Sequence, residues 1–150
     1  MNRIITQKKA RRAEQKRISN EKKAANLERA SLYKKRLATK QKQQNDIELI
    51  VRDACERKWG VNHKMVRYCI NKQVQAKLNI DSYDYNPGIK SFCTNKWNKN
   101  FSMLHYCLNQ QTTAKEDIQS QVQRWPIQRV NTCKGKWGLN YTMVLYCLNK

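Results

Sequence analysis

The chain of 150 residues contains four glycines and two prolines. Loops that wrap phosphate need glycine, because the backbone must approach the anion closely. No glycine-rich phosphate loop is present. Acidic residues are scarce, eleven against thirty-one Lys and Arg, and no evident carboxylate pair offers general acid and base chemistry. Only two histidines occur, with no H-E-x-x-H helix motif and no C-x-x-C redox motif. A cysteine nucleophile needs a base beside it, and His63 and His105 do not recur at equivalent places to supply one. An enzyme is therefore not expected, nor any cofactor. No apolar run approaches the roughly 20 residues a bilayer crossing needs, so no membrane span is expected. Ile4 and Ile5 are followed at once by charge, which leaves no apolar core for an export signal. An Arg-rich start is compatible with a mitochondrial presequence, but the acidic residues and the length of the basic run count against it. The default setting is then cytoplasmic or particle-associated and reducing, where six cysteines need a reason.

Positive charge is abundant. The net charge is +20, which attracts polyanions: nucleic acid, an anionic membrane face or an acidic protein. Residues 1–44 hold fifteen Lys and Arg against Glu14, Glu21 and Glu28. The remaining residues hold sixteen against eight acids. The N-terminal stretch is thus the strongest electrostatic feature.

Three stretches align without gaps: CERKWGVNHKMVRYCIN from Cys55, CTNKWNKNFSMLHYCLN from Cys93 and CKGKWGLNYTMVLYCLN from Cys133. The shared pattern is C-x2-K-W-[GN]-x-N-x2-M-[VL]-x-Y-C-[IL]-N. Similarity extends past it, since Gln73-Val-Gln-Ala-Lys after the first copy resembles Gln111-Thr-Thr-Ala-Lys after the second. A fixed period marks a repeat architecture.

Each copy reads as helix, tight turn, helix. In the first, Ile47, Ile50, Val51, Ala54, Cys55 and Trp59 follow a helical spacing. Asn45 with Glu48 resembles a capping box that opens this helix. Gly60, Asn98 and Gly138 stand where the first helix ends, and these residue types best tolerate a left-handed backbone. Asn62, Asn100 and Asn140 follow as N-caps. Met65, Tyr68 and Cys69, and their counterparts in the other copies, are expected on one face of the second helix. Pro87 and Pro126 suit the opening turns of later copies. The expected fold is all-α: a long basic N-terminal helix over residues 1–44, helical or partly disordered, then three tandem antiparallel helical hairpins at 45–80, 81–120 and 121–150.

In such hairpins Cys55 and Cys69, Cys93 and Cys107, and Cys133 and Cys147 come to nearly the same height on facing helices. Three readings stand. The thiols are buried as small apolar groups, or each pair is a disulfide, or they bind metal. The third fits least, because zinc favours closely spaced ligand pairs, and no metal site is assigned. Trp59, Trp97 and Trp137 with Tyr68, Tyr106 and Tyr146 are expected to fill the hairpin cores and seams. The alternative is a row of stacking platforms for single-stranded bases. Lys58, Lys96 and Lys136 precede the tryptophans and suit the helix dipole there.

The N-terminal segment 6–43 has neither Pro nor Gly and is rich in helix formers. Lys8, Lys9, Arg11, Arg12, Lys16 and Arg17 form its densest cluster, with Lys22, Lys23, Lys34, Lys35 and Arg36 further along. These are the candidate nucleic-acid-binding residues, which track phosphates without reading bases. A membrane-surface helix needs a broad apolar face, and this segment lacks one.

The pattern C-x2-K-W-G-x-N-Y-x-M-V-x-Y-C, clearest from Cys133 to Cys147, resembles a motif of small bacterial and phage proteins of uncharacterised function. There a single copy often follows an export signal, which implies a disulfide. This chain differs in carrying three copies and a basic arm.

The expected function is a non-enzymatic structural or assembly protein that holds DNA or RNA through its arm. A phage particle or a ribonucleoprotein would suit it, with other proteins of a larger assembly as further partners. A protein-interaction repeat module, or a disulfide-stabilised factor acting outside the cytoplasm, are the alternatives.

Overall fold

A computed structural model describes residues 2–150, with side chains from residue 7. Six α-helices and no strand occur among the described residues. They are α1 (Asn2–Trp59), α2 (His63–Ser82), α3 (Pro87–Trp97), α4 (Phe101–Gln121), α5 (Ile127–Trp137) and α6 (Tyr141–Leu148), with a 3-10 turn at Val122–Arg124. The chain divides into two compact parts, residues 1–43 and 44–150.

Helix α1 is longer than its sequence signals suggested. The capping-box start expected at Asn45 does not open a helix, because α1 runs through it. A cap opens a helix only where something has ended the preceding one. No Gly or Pro lies between residues 2 and 59. Ion pairs one turn apart support the last turns: Arg52 with Glu48 and Glu56, and Arg57 with Asp53.

Within residues 44–150 the connections are very short. Gly60 and Gly138 both have φ 53°, and Asn98 has φ 43°. In each case the amide just past the helix bonds the carbonyl four residues back. Two residues on, Asn62, Asn100 and Asn140 accept from the amides of Met65, Met103 and Met143 at 3.2, 3.4 and 3.4 Å. A Cβ at Gly138 would meet no neighbour, so the cost of Gly138→Ala is purely backbone strain. We expect a loss of about 1–3 kcal/mol in urea melts. Asn98→Gly relieves the same strain but loosens the unfolded chain, and should shift stability by no more than about 1 kcal/mol.

The core is aliphatic. Ile47, Val51 and Cys55 of α1 share one buried cluster with Val66, Ile70 and Val74 of α2, Ile89 and Cys93 of α3, and Leu104 and Leu108 of α4. A second cluster joins Ile118, Val130, Cys133, Val144 and Leu148. The inward positions of the second helices are the aliphatic ones after Met and after Cys: Val66 and Ile70, Leu104 and Leu108, Val144 and Leu148. The face expected from Met, Tyr and Cys is turned accordingly. Tyr68, Tyr106 and Tyr146 do not fill the core; they are 58%, 60% and 55% exposed. The copy tryptophans lie half-buried against the clusters, as the first reading of them required.

Candidate nucleic-acid interface

The N-terminal part, taken by itself, is a solvated helix. Lys8, Lys9, Arg11, Arg12, Lys16, Arg17, Lys22, Lys23, Lys34, Lys35 and Arg36 are all exposed. Their order around the helix follows from about 100° per residue. Lys8, Lys9, Arg12, Lys16, Lys23 and Lys34 fall within about 100° of one another. Arg11, Lys22, Arg29, Arg36 and Lys40 border that stripe. Glu14, Glu21 and Glu28 recur every seven residues on the far side, in the sector that also holds Arg17, Lys35 and Lys42. Arg17 bridges Glu14 at 2.7 Å and Glu21 at 3.0 Å. Its hydrogen bond holds the Glu14 carboxyl below its usual range and lifts the Arg17 guanidinium above its own. Arg17 is therefore committed to carboxylates, whereas the opposite stripe is a cationic edge on the order of 40 Å long.

In the second part the six cysteines form three disulfides: Cys55 with Cys69, Cys93 with Cys107, and Cys133 with Cys147. Each pair has a Cα separation of 5.8 Å. The equal separations reflect the repeat, which puts each pair at the same height across the same turn. No free thiolate is left among the described residues to serve as nucleophile or metal ligand. His63 is exposed, and His105 pairs through Nε2 with Asn109 at 3.2 Å.

The echo after the first two copies also acquires a physical meaning. Gln73 on α2 donates to Asn100 Oδ1 at 3.1 Å and accepts from the Ser102 amide at 3.1 Å. Gln111 on α4 repeats this one copy later, donating to Asn140 Oδ1 at 3.3 Å and accepting from the Thr142 amide at 3.2 Å. The glutamine thus satisfies an orphan amide at the next helix start while holding its cap residue. Ala76 and Ala114 are buried beside it. Lys77 and Lys115 extend over the Phe101 and Tyr141 rings, each 5.7 Å from the centroid. Sequence reasoning saw the Q-x2-A-K echo but missed the clamp, because its partners lie 27 and 31 residues away. Gln111→Ala would leave the Thr142 amide without its partner, at a cost of about 1–3 kcal/mol. Chemical denaturation should show this, together with faster amide exchange at Thr142.

The lysine before each tryptophan has a similar local use. Lys58, Lys96 and Lys136 place Nζ 5.3, 5.5 and 5.4 Å from the adjoining indole centroid. Two open recesses lie between α4 and α6. One of about 210 Å³ is lined by Lys96, Trp97, Tyr106, Gln110 and Thr142, among others. Gln110 and Thr142 also border the other, of about 330 Å³, with Asp117, Leu145 and Tyr146.

Comparison with known proteins finds no matching family model, no matching curated protein and no matching solved structure. The functional reading therefore rests on the residues themselves.

Proposed function

We propose that the protein is a non-enzymatic structural or assembly component that holds nucleic acid through its basic N-terminal helix. In this reading residues 45–150 are three tandem antiparallel hairpins, each closed by its own disulfide and clamped to the next by glutamine. The array is a rigid body, and the arm is the polyanion contact. The observation that carries the reading is the segregation of charge on the arm, with an exposed cationic stripe that holds no glutamate opposite heptad-spaced glutamates. A merely solvated helix would distribute both signs to make pairs around its surface.

Support for the array comes from its first copy. Buried Phe101 and half-buried Tyr141, which face the preceding copy, are replaced there by exposed His63. Ser102 and Thr142 are replaced by Lys64. A polar outer face is what a terminal repeat needs.

Binding without base readout releases counterions, so affinity should fall linearly with salt on logarithmic axes. The test is a salt series of fluorescence anisotropy on the full chain with labelled duplex DNA. A slope of several units is expected. Absent binding at low salt, or affinity indifferent to salt, would reject the proposal.

The three disulfides favour a second reading, a factor acting in an oxidising compartment or on a particle surface. Intact mass of the protein from its native source, before and after reductant, decides this. A gain of about six protons, two per bridge, is expected; no gain would remove it.

A further inference from the structure

The tyrosines of the repeat are identical in three copies, yet packing does not use them. Tyr68, Tyr106 and Tyr146 remain more than half exposed, while the tryptophan and methionine that are also identical in all three copies are partly buried. Each tyrosine also has a lysine at hand. Lys72 stands 6.0 Å from the Tyr68 ring centroid and Lys150 stands 4.8 Å from that of Tyr146. Lys96 lines the same recess as Tyr106. The recesses holding Tyr106 and Tyr146 adjoin, since Gln110 and Thr142 border both.

We propose that Tyr106 and Tyr146, with Lys96 and Gln110 between two adjoining recesses, form a track on which single-stranded nucleic acid stacks its bases. The choice of ligand rests on the nucleic-acid reading of the arm, but the site lies wholly within residues 44–150. An exposed ring offers a face to any base, and a neighbouring cation meets the phosphate that base carries. A duplex hides its base faces and gains nothing from such rings. The exposed Gln110 amide offers both a donor and an acceptor to base edges. Asp117, on the wider recess, repels phosphate, so the backbone contacts of the track fall to the lysines. An acidic protein segment would use the lysines but not the ring faces, so the tyrosines discriminate between the two occupants.

The experiment measures affinity of the full chain for a labelled oligothymidylate and for a duplex with the same number of phosphates. The Tyr106→Ala/Tyr146→Ala variant should lose on the order of tenfold per tyrosine for the single strand. Its duplex affinity should change less than about twofold, because phosphate contacts carry that binding. Tyr106→Phe/Tyr146→Phe should retain single-strand affinity, since stacking needs the ring and not the hydroxyl. Single-strand affinity unchanged in the alanine variant would overturn the proposal, as would competition by polyglutamate that matches oligothymidylate. Failure to bind either nucleic acid would remove the arm reading as well. Tyrosine-dependent single-strand binding that survives neutralisation of the arm stripe would leave the track standing and remove the arm reading alone.

Discussion

The triple substitution Arg12→Gln/Lys16→Gln/Lys23→Gln will weaken duplex binding by about a hundredfold and lower the salt slope by roughly three. Its control, Arg17→Gln/Lys35→Gln/Lys42→Gln, removes the same charge from the other side of the helix and should cost far less. Glutamine resembles Lys and Arg in helix propensity, so neither variant is expected to melt the arm. Arg12, Lys16 and Lys23 lie within one stripe that carries no glutamate. Arg17 instead bonds Glu14 and Glu21, and would have to give up those bonds to reach phosphate. The two triples separate a contacting face from bulk charge. Equal losses would mean that the helix attracts polyanions without presenting a defined edge. No loss in either would move the contact off the arm. The measurement is anisotropy of labelled duplex across a salt series, with helicity checked by circular dichroism.

How far the sequence alone reaches depends on whether the signal is local. The turns were legible because Gly60, Asn98 and Gly138 answer a local demand for positive φ, and Asn62, Asn100 and Asn140 answer a local demand for capping. The cysteine neighbours followed from helix rise and turn length, while their oxidation did not, because spacing fixes proximity and not redox state. The tyrosines were misplaced for a different reason. An aromatic ring at a repeated helical position is expected in a core, but Tyr68, Tyr106 and Tyr146 lie beside the inward face rather than on it. The inward face is instead built from positions that vary between Val, Leu and Ile, since a core asks for volume rather than for one residue type. The glutamine clamp is non-local, and only its repetition hinted at it. On the arm, the stripe follows from angles around a helix, which clusters along the chain do not display.

Removing the third disulfide by Cys133→Ala/Cys147→Ala should unfold the last copy while the first two persist. The closed loop spans 14 residues in sequence, and opening it costs about 3 kcal/mol of loop entropy. Little else can offset that loss locally. The buried cluster there consists of Ile118, Val130, Cys133, Val144 and Leu148, and one of its members is the cysteine itself. Helix α6 has eight residues, fewer than the roughly 12–15 at which isolated helices become marginal. The Gln111 clamp is worth on the order of 1 kcal/mol per hydrogen bond, too little to hold α6 alone. The matched variant Cys93→Ala/Cys107→Ala loses a loop of the same length from a cluster three times as populous. It should lower overall stability without releasing one element selectively. Native-state hydrogen exchange distinguishes the two. In the first variant the amides of Tyr141–Leu148 should exchange fast while those of α2 and α4 up to Ala114 stay protected. Protection of α6 equal to that of the parent protein would mean that packing and the glutamine clamp suffice, and that the bridge is a consequence of the fold rather than a condition of it.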